Sequence, residues 1–176
     1  RSTISTATRS SSAYKDGDAL VKYHEAQLLR LSANFAFCAD VSLLCGGRLK
    51  FEELLMGRLS DAMGAIFLGY ATLHHFERNR ASVEGLKALA ESALLQLETE
   101  AQTALREASE NFPKPFGAIG GWLMSLGIAP LGEFMRPYRP PPDHLTKEVS
   151  RLLTTPSAVH AMFAENVYIA NDDPTN

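Results

Sequence analysis

The chain has 176 residues, 45% of them hydrophobic and 21% charged, with a formal net charge of -3. That length fits one domain with a real core and leaves little room for two. The acidic balance argues against a nucleic-acid surface, which needs a basic excess.

The opening run RSTISTATRSSSAYK is rich in Ser, Thr and Arg and has no acid before Asp16. A transit peptide has that composition; the preferred reading is a flexible linker over 1–18 that follows something upstream. Asp16 and Asp18 stand just before the first periodic apolar run, where a carboxylate caps a helix N-terminus. A first helix is predicted from Ala19 to Cys45, with Leu20, His24, Gln27 or Leu28, Leu31, Phe35, Cys38 and Val41 or Ser42 on one face. From Asn34 onward it is apolar on nearly every side, with Asp40 its lone charge, as expected of a helix buried on several sides. Cys38 and Cys45 fall two turns apart on such a helix, too far for a disulfide, and match no zinc spacing. Both are read as small buried hydrophobes, which suits a reducing compartment.

Gly46-Gly47 then breaks the pattern as a helix C-cap does. A second helix is expected from Leu49 to Arg78. Its large stripe is Phe51, Leu55, Leu59, Met63, Ile66 or Phe67, Tyr70 and Leu73. A second stripe of Gly57, Asp61, Gly64 and Leu68 suggests close approach of a neighbouring helix, since interior glycines cost about 1 kcal/mol each. A turn at Gly46-Gly47 makes the pair antiparallel. That register brings Asp61 within a turn of Arg30 and Ser32, and Arg58 near Asn34 and Phe35. A semi-buried Arg30–Asp61 ion pair is the resulting expectation; such a pair is costly to break whether or not it has a function.

A third helix, Ser82 to Asn111, carries an apolar stripe of Leu86, Leu89, Ala93, Leu94, Leu97, Ala101, Ala104 and Leu105. Glu84, Glu91, Glu98, Glu100, Glu107 and Glu110 are read mostly as solvated. Proline and glycine then punctuate the chain, and no charge occurs between Lys114 and Glu133. That run is at the lower edge of a membrane span, but its glycines and Pro130 argue against a straight spanning helix. It is read as a short buried helix closing the bundle. The alternative is a membrane-surface or partner contact over 116–135, flanked by Lys114, Arg136 and Arg139. Asp143 is placed to cap a helix from His144 to Leu153, and Thr155-Pro156 to open another that ends near Glu165. Asn166 to Asn176 reads as irregular. The fold class is therefore all-α, a helical bundle built on a long antiparallel pair with shorter C-terminal helices. Its domain is drawn over 19–170, with a tail at 171–176.

No constellation with catalytic spacing is evident. Gly117, Gly120 and Gly121 follow no strand, so no phosphate loop is assigned. His74 and His75 are adjacent and diverge by about 100° on a helix, which makes them a poor metal pair. His24, His144 and His160 are isolated in sequence. Asp40 and Asp61, the carboxylates set in apolar helix, become catalytic candidates only if a substrate cavity reaches them. No catalytic, cofactor-binding or metal-ligating residue is assigned.

The stretch LSANFAFCADVSLLCGGRLKFEELLMGRLSDAMGAIFLGYATLHHFE, from Leu31 to Glu77, resembles the appended C-terminal domain of bacterial-type long-chain acyl-CoA dehydrogenases. The resemblance resumes at PYRPPPDHLTKEVSRLL and continues through PSAVHAMFAENVYI to the DDP of Asp172 to Pro174. It covers Leu20 to Pro174 and rests on core and turn residues. It implies a parent chain that uses FAD to oxidise the Cα–Cβ bond of an acyl-CoA to a trans-2-enoyl-CoA in fatty-acid β-oxidation. The glutamate base and flavin motifs of such enzymes lie upstream of this domain, so no catalytic or flavin residue is carried onto this chain. FAD is expected in the parent and no cofactor in this fragment, which alone would be inactive. The cysteines and the His74-His75 pair belong to no pattern of that family. The implied partners are the upstream dehydrogenase unit and a second copy in a homo-oligomer; the apolar run 116–135 separately suggests a membrane surface. The implied location is cytoplasmic or peripheral at the inner membrane in a bacterium, and mitochondrial in a eukaryote.

Overall fold

The computed structural model describes residues 18–113, 119–123 and 138–165. Five α-helices follow in order, α1 (Ala19–Ser42), α2 (Glu53–Asn79), α3 (Leu86–Glu110), α4 (Asp143–Thr154) and α5 (Ala158–Ala164), with a 3₁₀ segment at Leu43–Phe51 between the first two. Residues 119–123 form a further helical turn, and no strand occurs among the described residues. The all-α bundle read from the sequence is the fold observed. The expected linker, the tail, and all but 119–123 of the 116–135 run lie outside the described residues.

Alternating three- and four-residue spacing sets each long helix's buried face. On α1 the stripe includes Val21, His24, Leu28, Leu31, Cys38 and Ser42; on α2 it is Leu55, Leu59, Ala62, Ile66, Gly69, Leu73 and Phe76. On α3 it is Leu86, Ala90, Leu94, Glu98, Ala101, Leu105 and Ala108. Stripes of this period keep one face of each helix turned to its neighbours along its whole length. By length and composition, Ala19–Phe51 could also cross a bilayer, with mean hydropathy 1.4. Its buried stripe and the ties described below instead make α1 part of the bundle core.

The chain runs up, down and up through α1, α2 and α3, and the most extensive packing joins α2 to α3 rather than α1 to α2. The first reversal is made at Gly46, where φ is 54° and ψ is -137°, a region that glycine enters freely. The second is made at Gly85, where φ is 83°. A side chain there would press on Leu152 and Val159, so the α2–α3 turn is also where α4 and α5 dock.

The caps fall close to their expected places. The Asp18 carboxylate accepts the Leu20 N–H at 2.9 Å and starts α1. α1 stops three residues before Cys45 because the chain tightens to 3₁₀ ahead of Gly46. α4 begins at Asp143 itself, with Pro142 in the cap position. α5 begins at Ala158 and not at Pro156: Ser157 takes the cap, its hydroxyl accepting the His160 N–H at 3.0 Å.

The α1–α2 register corrects two expectations. Gly69 lies against Leu28, with 2.6 Å between a Cβ built on it and Leu28 Cδ2. That is one turn away from the facing that Gly46-Gly47 alone would impose. Asp61 is consequently exposed, Arg30 donates to the Gln27 side chain at 3.0 Å, and the Arg30–Asp61 clamp does not form. Arg58 turns to α3, its Nε 3.8 Å from Glu107. The expected close approach along Gly57 and Gly64 is also absent: both face open space. Gly69, on the opposite face, makes it.

Candidate functional site

Two features stand out from the packing: a buried polar cluster between α1 and α3, and uncovered apolar side chains at the α1–α2 corner and on α2. The cluster centres on His24 Nδ1 and Glu98 Oε1, 2.7 Å apart. Glu98 is 1% exposed and His24 3% exposed. Burial pushes the Glu98 carboxyl above the usual range, and the hydrogen bond and charge of His24 partly offset this. Tyr138 closes the cluster. Its N–H donates to the Gln102 side chain at 3.2 Å and its hydroxyl to the Gln27 carbonyl at 3.4 Å. Burial raises the Tyr138 phenol well above its ordinary value, Glu98 adding to the rise and Arg30 opposing it.

Sequence spacing could not find this cluster, because His24 and Glu98 are 74 positions apart. Glu98, read mostly as solvated, lies on the buried stripe because His24 supplies it with a partner; an unpaired carboxylate there would be too costly. The one available signal was its place four residues after Leu94 and three before Ala101. Joining a carboxylate, an imidazole and a phenol resembles acid–base machinery. His24 and Glu98, however, are buried and satisfy each other, while half-buried Tyr138 bonds to Gln27 and Gln102, so the cluster ties helices together.

The other singled-out residues are dispersed. His74 and His75 are both exposed on α2, His144 is exposed on α4, and His160 Nδ1 sits 2.8 Å from the Leu153 carbonyl. Asp40 is exposed near the end of α1. Cys38 is fully buried and Cys45 half-buried, both as free thiols. Burial pushes the Cys38 thiol up to about 12, so it stays protonated and unreactive. Among the described residues no three His, Cys, Asp or Glu side chains gather as a metal would need.

Asp61 does meet an opening, a shallow open groove of about 680 Å³ between α2 and α3, lined by Ser60, Asp61, Gly64, Leu68, Glu100 and Glu107, among others. Gln96 already donates to Glu100 at 2.8 Å within it. A flavin dinucleotide does not fit this place: its pyrophosphate would meet three carboxylates, with no backbone N–H cradle opposite. No nucleophile is set beside a base there either.

Apolar side chains are left uncovered along the other side of α2. Met56, Met63 and Phe67, which share one face through seven- and four-residue spacing, are 42%, 54% and 70% exposed. Expected core members Phe51 and Met63 thus point outward, Ile66 rather than Phe67 fills their shared stripe position, and Ala62, Ala65 and Gly69 take further inward positions. Soluble surfaces scatter such residues singly; a continuous stretch of them marks a contact site.

An all-α helical bundle with uncovered apolar side chains is the class that this geometry defines. The family model described as "Acyl-CoA dehydrogenase, C-terminal, bacterial type" matches residues 1–176. The chain belongs to that family. No solved structure matches it.

Proposed function

We propose that this chain is the accessory domain of an FAD-dependent acyl-CoA dehydrogenase of fatty-acid β-oxidation, and that it stabilises the enzyme by docking on the dehydrogenase unit. The observation that carries this reading is the uncovered face of α2 around Met56, Met63 and Phe67. Between Arg58 and Arg78 the charged residues of α2 are Asp61 and Glu77, so this stretch offers apolar area without a basic patch. Fully burying a side chain of this size contributes about 1.5–3 kcal/mol, enough for a few residues to hold two units of one chain together. Flavin, acyl-CoA and the catalytic base would all belong to the parent's other unit.

The test is Met63→Asp/Phe67→Asp, made both in the parent enzyme and in the isolated chain. In the parent the midpoint of thermal unfolding should fall by several degrees. In the isolated chain, where both side chains face water, it should stay unchanged or rise. An unaltered parent would remove α2 as the docking face.

A further inference from the structure

The α1–α2 corner differs in chemistry from the apolar face of α2. Its 3₁₀ segment, Leu43–Phe51, buries none of its residues, although four of the nine are Leu or Phe. Leu43 is 67% and Phe51 72% exposed, and neighbouring Leu54 and Leu44 are open as well. The charges within the segment are Arg48 and Lys50, both exposed, and the Lys50 ammonium lies 4.8 Å from the centre of the Phe51 ring. Acids resume only at Asp40 on one side and Glu52 and Glu53 on the other. In a chain of net charge -3, this corner places cations among exposed apolar side chains.

We propose that the corner is a membrane-surface contact, with Leu43, Leu44, Phe51 and Leu54 entering the acyl boundary while Arg48 and Lys50 meet anionic lipid headgroups. Apolar residues set beside basic ones suit that boundary, because long cationic side chains bury their stems and keep their charges at headgroup level. A protein face would leave the two cations to be desolvated or matched by acids. A lipid surface leaves them wet and attracts them. Gly46 and Gly47 carry no side chain to resist close approach. Asp40, Glu52 and Glu53 would be repelled by an anionic surface, which confines the contact to the tip. The proposal is independent of the docking face, which lies further along α2 and has no such cations.

The 176-residue chain is sedimented with vesicles of phosphatidylcholine alone and of phosphatidylcholine with phosphatidylglycerol. Binding to the anionic vesicles is expected, weakening with salt. Arg48→Gln/Lys50→Gln should weaken it about 25-fold, the loss of two surface cations. Leu44→Ser/Phe51→Ser should abolish it with far-ultraviolet circular dichroism unchanged, and Trp122→Ala should leave it intact. Three results overturn the proposal: no binding to anionic vesicles, binding indifferent to the Arg48 and Lys50 changes, or loss through Trp122→Ala but not Phe51→Ser. So does a dimer in sedimentation that Phe51→Ser splits without any lipid binding, which would assign the corner to a second copy.

Discussion

Single residues in this bundle act according to which side of a helix they face, and the glycines of α2 show it. Gly64 faces open space, so its only effect is on the backbone; Gly69 receives the fully buried Leu28. Gly64→Ala should therefore raise stability by about 1 kcal/mol through helix propensity. Gly69→Ala should lower it by about 1–3 kcal/mol through overpacking. Denaturant unfolding of the two variants checks the assignment, and equal signs would refute it. In the sequence alone the order looked reversed, because Gly57 and Gly64 form a stripe and Gly69 stands by itself. Spacing shows which residues share a face, but not which face meets the neighbour.

At the scale of the element, boundaries set by local chemistry follow from the sequence, while those set by packing do not. The start of α1 is local chemistry: the Asp18 carboxylate takes the Leu20 N–H, which holds its pKa below the usual 3.8, with burial opposing and Lys87 assisting. A lowered carboxylate pKa stabilises the fold above the unfolded value, and that stability is lost as pH falls through the folded value. Asp18→Ala should cost about 1 kcal/mol at neutral pH. The gap to wild type should close as pH drops below 3.8, followed by thermal unfolding across pH. The expected end of α1 at Cys45 missed the 3₁₀ tightening, which sequence periodicity does not register. Gly46, the end of α3 and the limits of α4 were legible because glycine, proline and cap residues act within one turn, whereas α3 starts at Leu86, after Gly85, and not at the expected Ser82.

At the scale of the whole molecule, the buried His24–Glu98 contact joins the first helix to the third. Glu98 has its folded pKa raised above 4.5 by burial. Its contribution is complete below that value and declines as pH rises through the raised one. Glu98→Gln keeps a partner for His24 without the charge, so it should be at least as stable as wild type at pH 7 and converge with it below pH 4.5. Glu98→Ala should instead lose about 1–3 kcal/mol, because the His24 nitrogen is left buried and unpaired. Denaturant unfolding at the two pH values separates these outcomes; a Gln variant as damaged as the Ala variant would show that the charge itself is needed.

The sequence by itself determined the helices, their main reversals, the all-α class and the family, because periodicity, caps and recurring core patterns are properties of neighbours along one chain. Only the tertiary structure decided which stripe of α2 faces inward, that Arg30 and Asp61 stay apart, and that His24 and Glu98 meet. A shift of one turn between two helices alters every cross-helix contact and leaves each helix's own pattern unchanged. Which side of α2 turns inward also leaves Met63 and Phe67 on the surface, and the α1–α2 corner leaves Phe51 and Leu54 there.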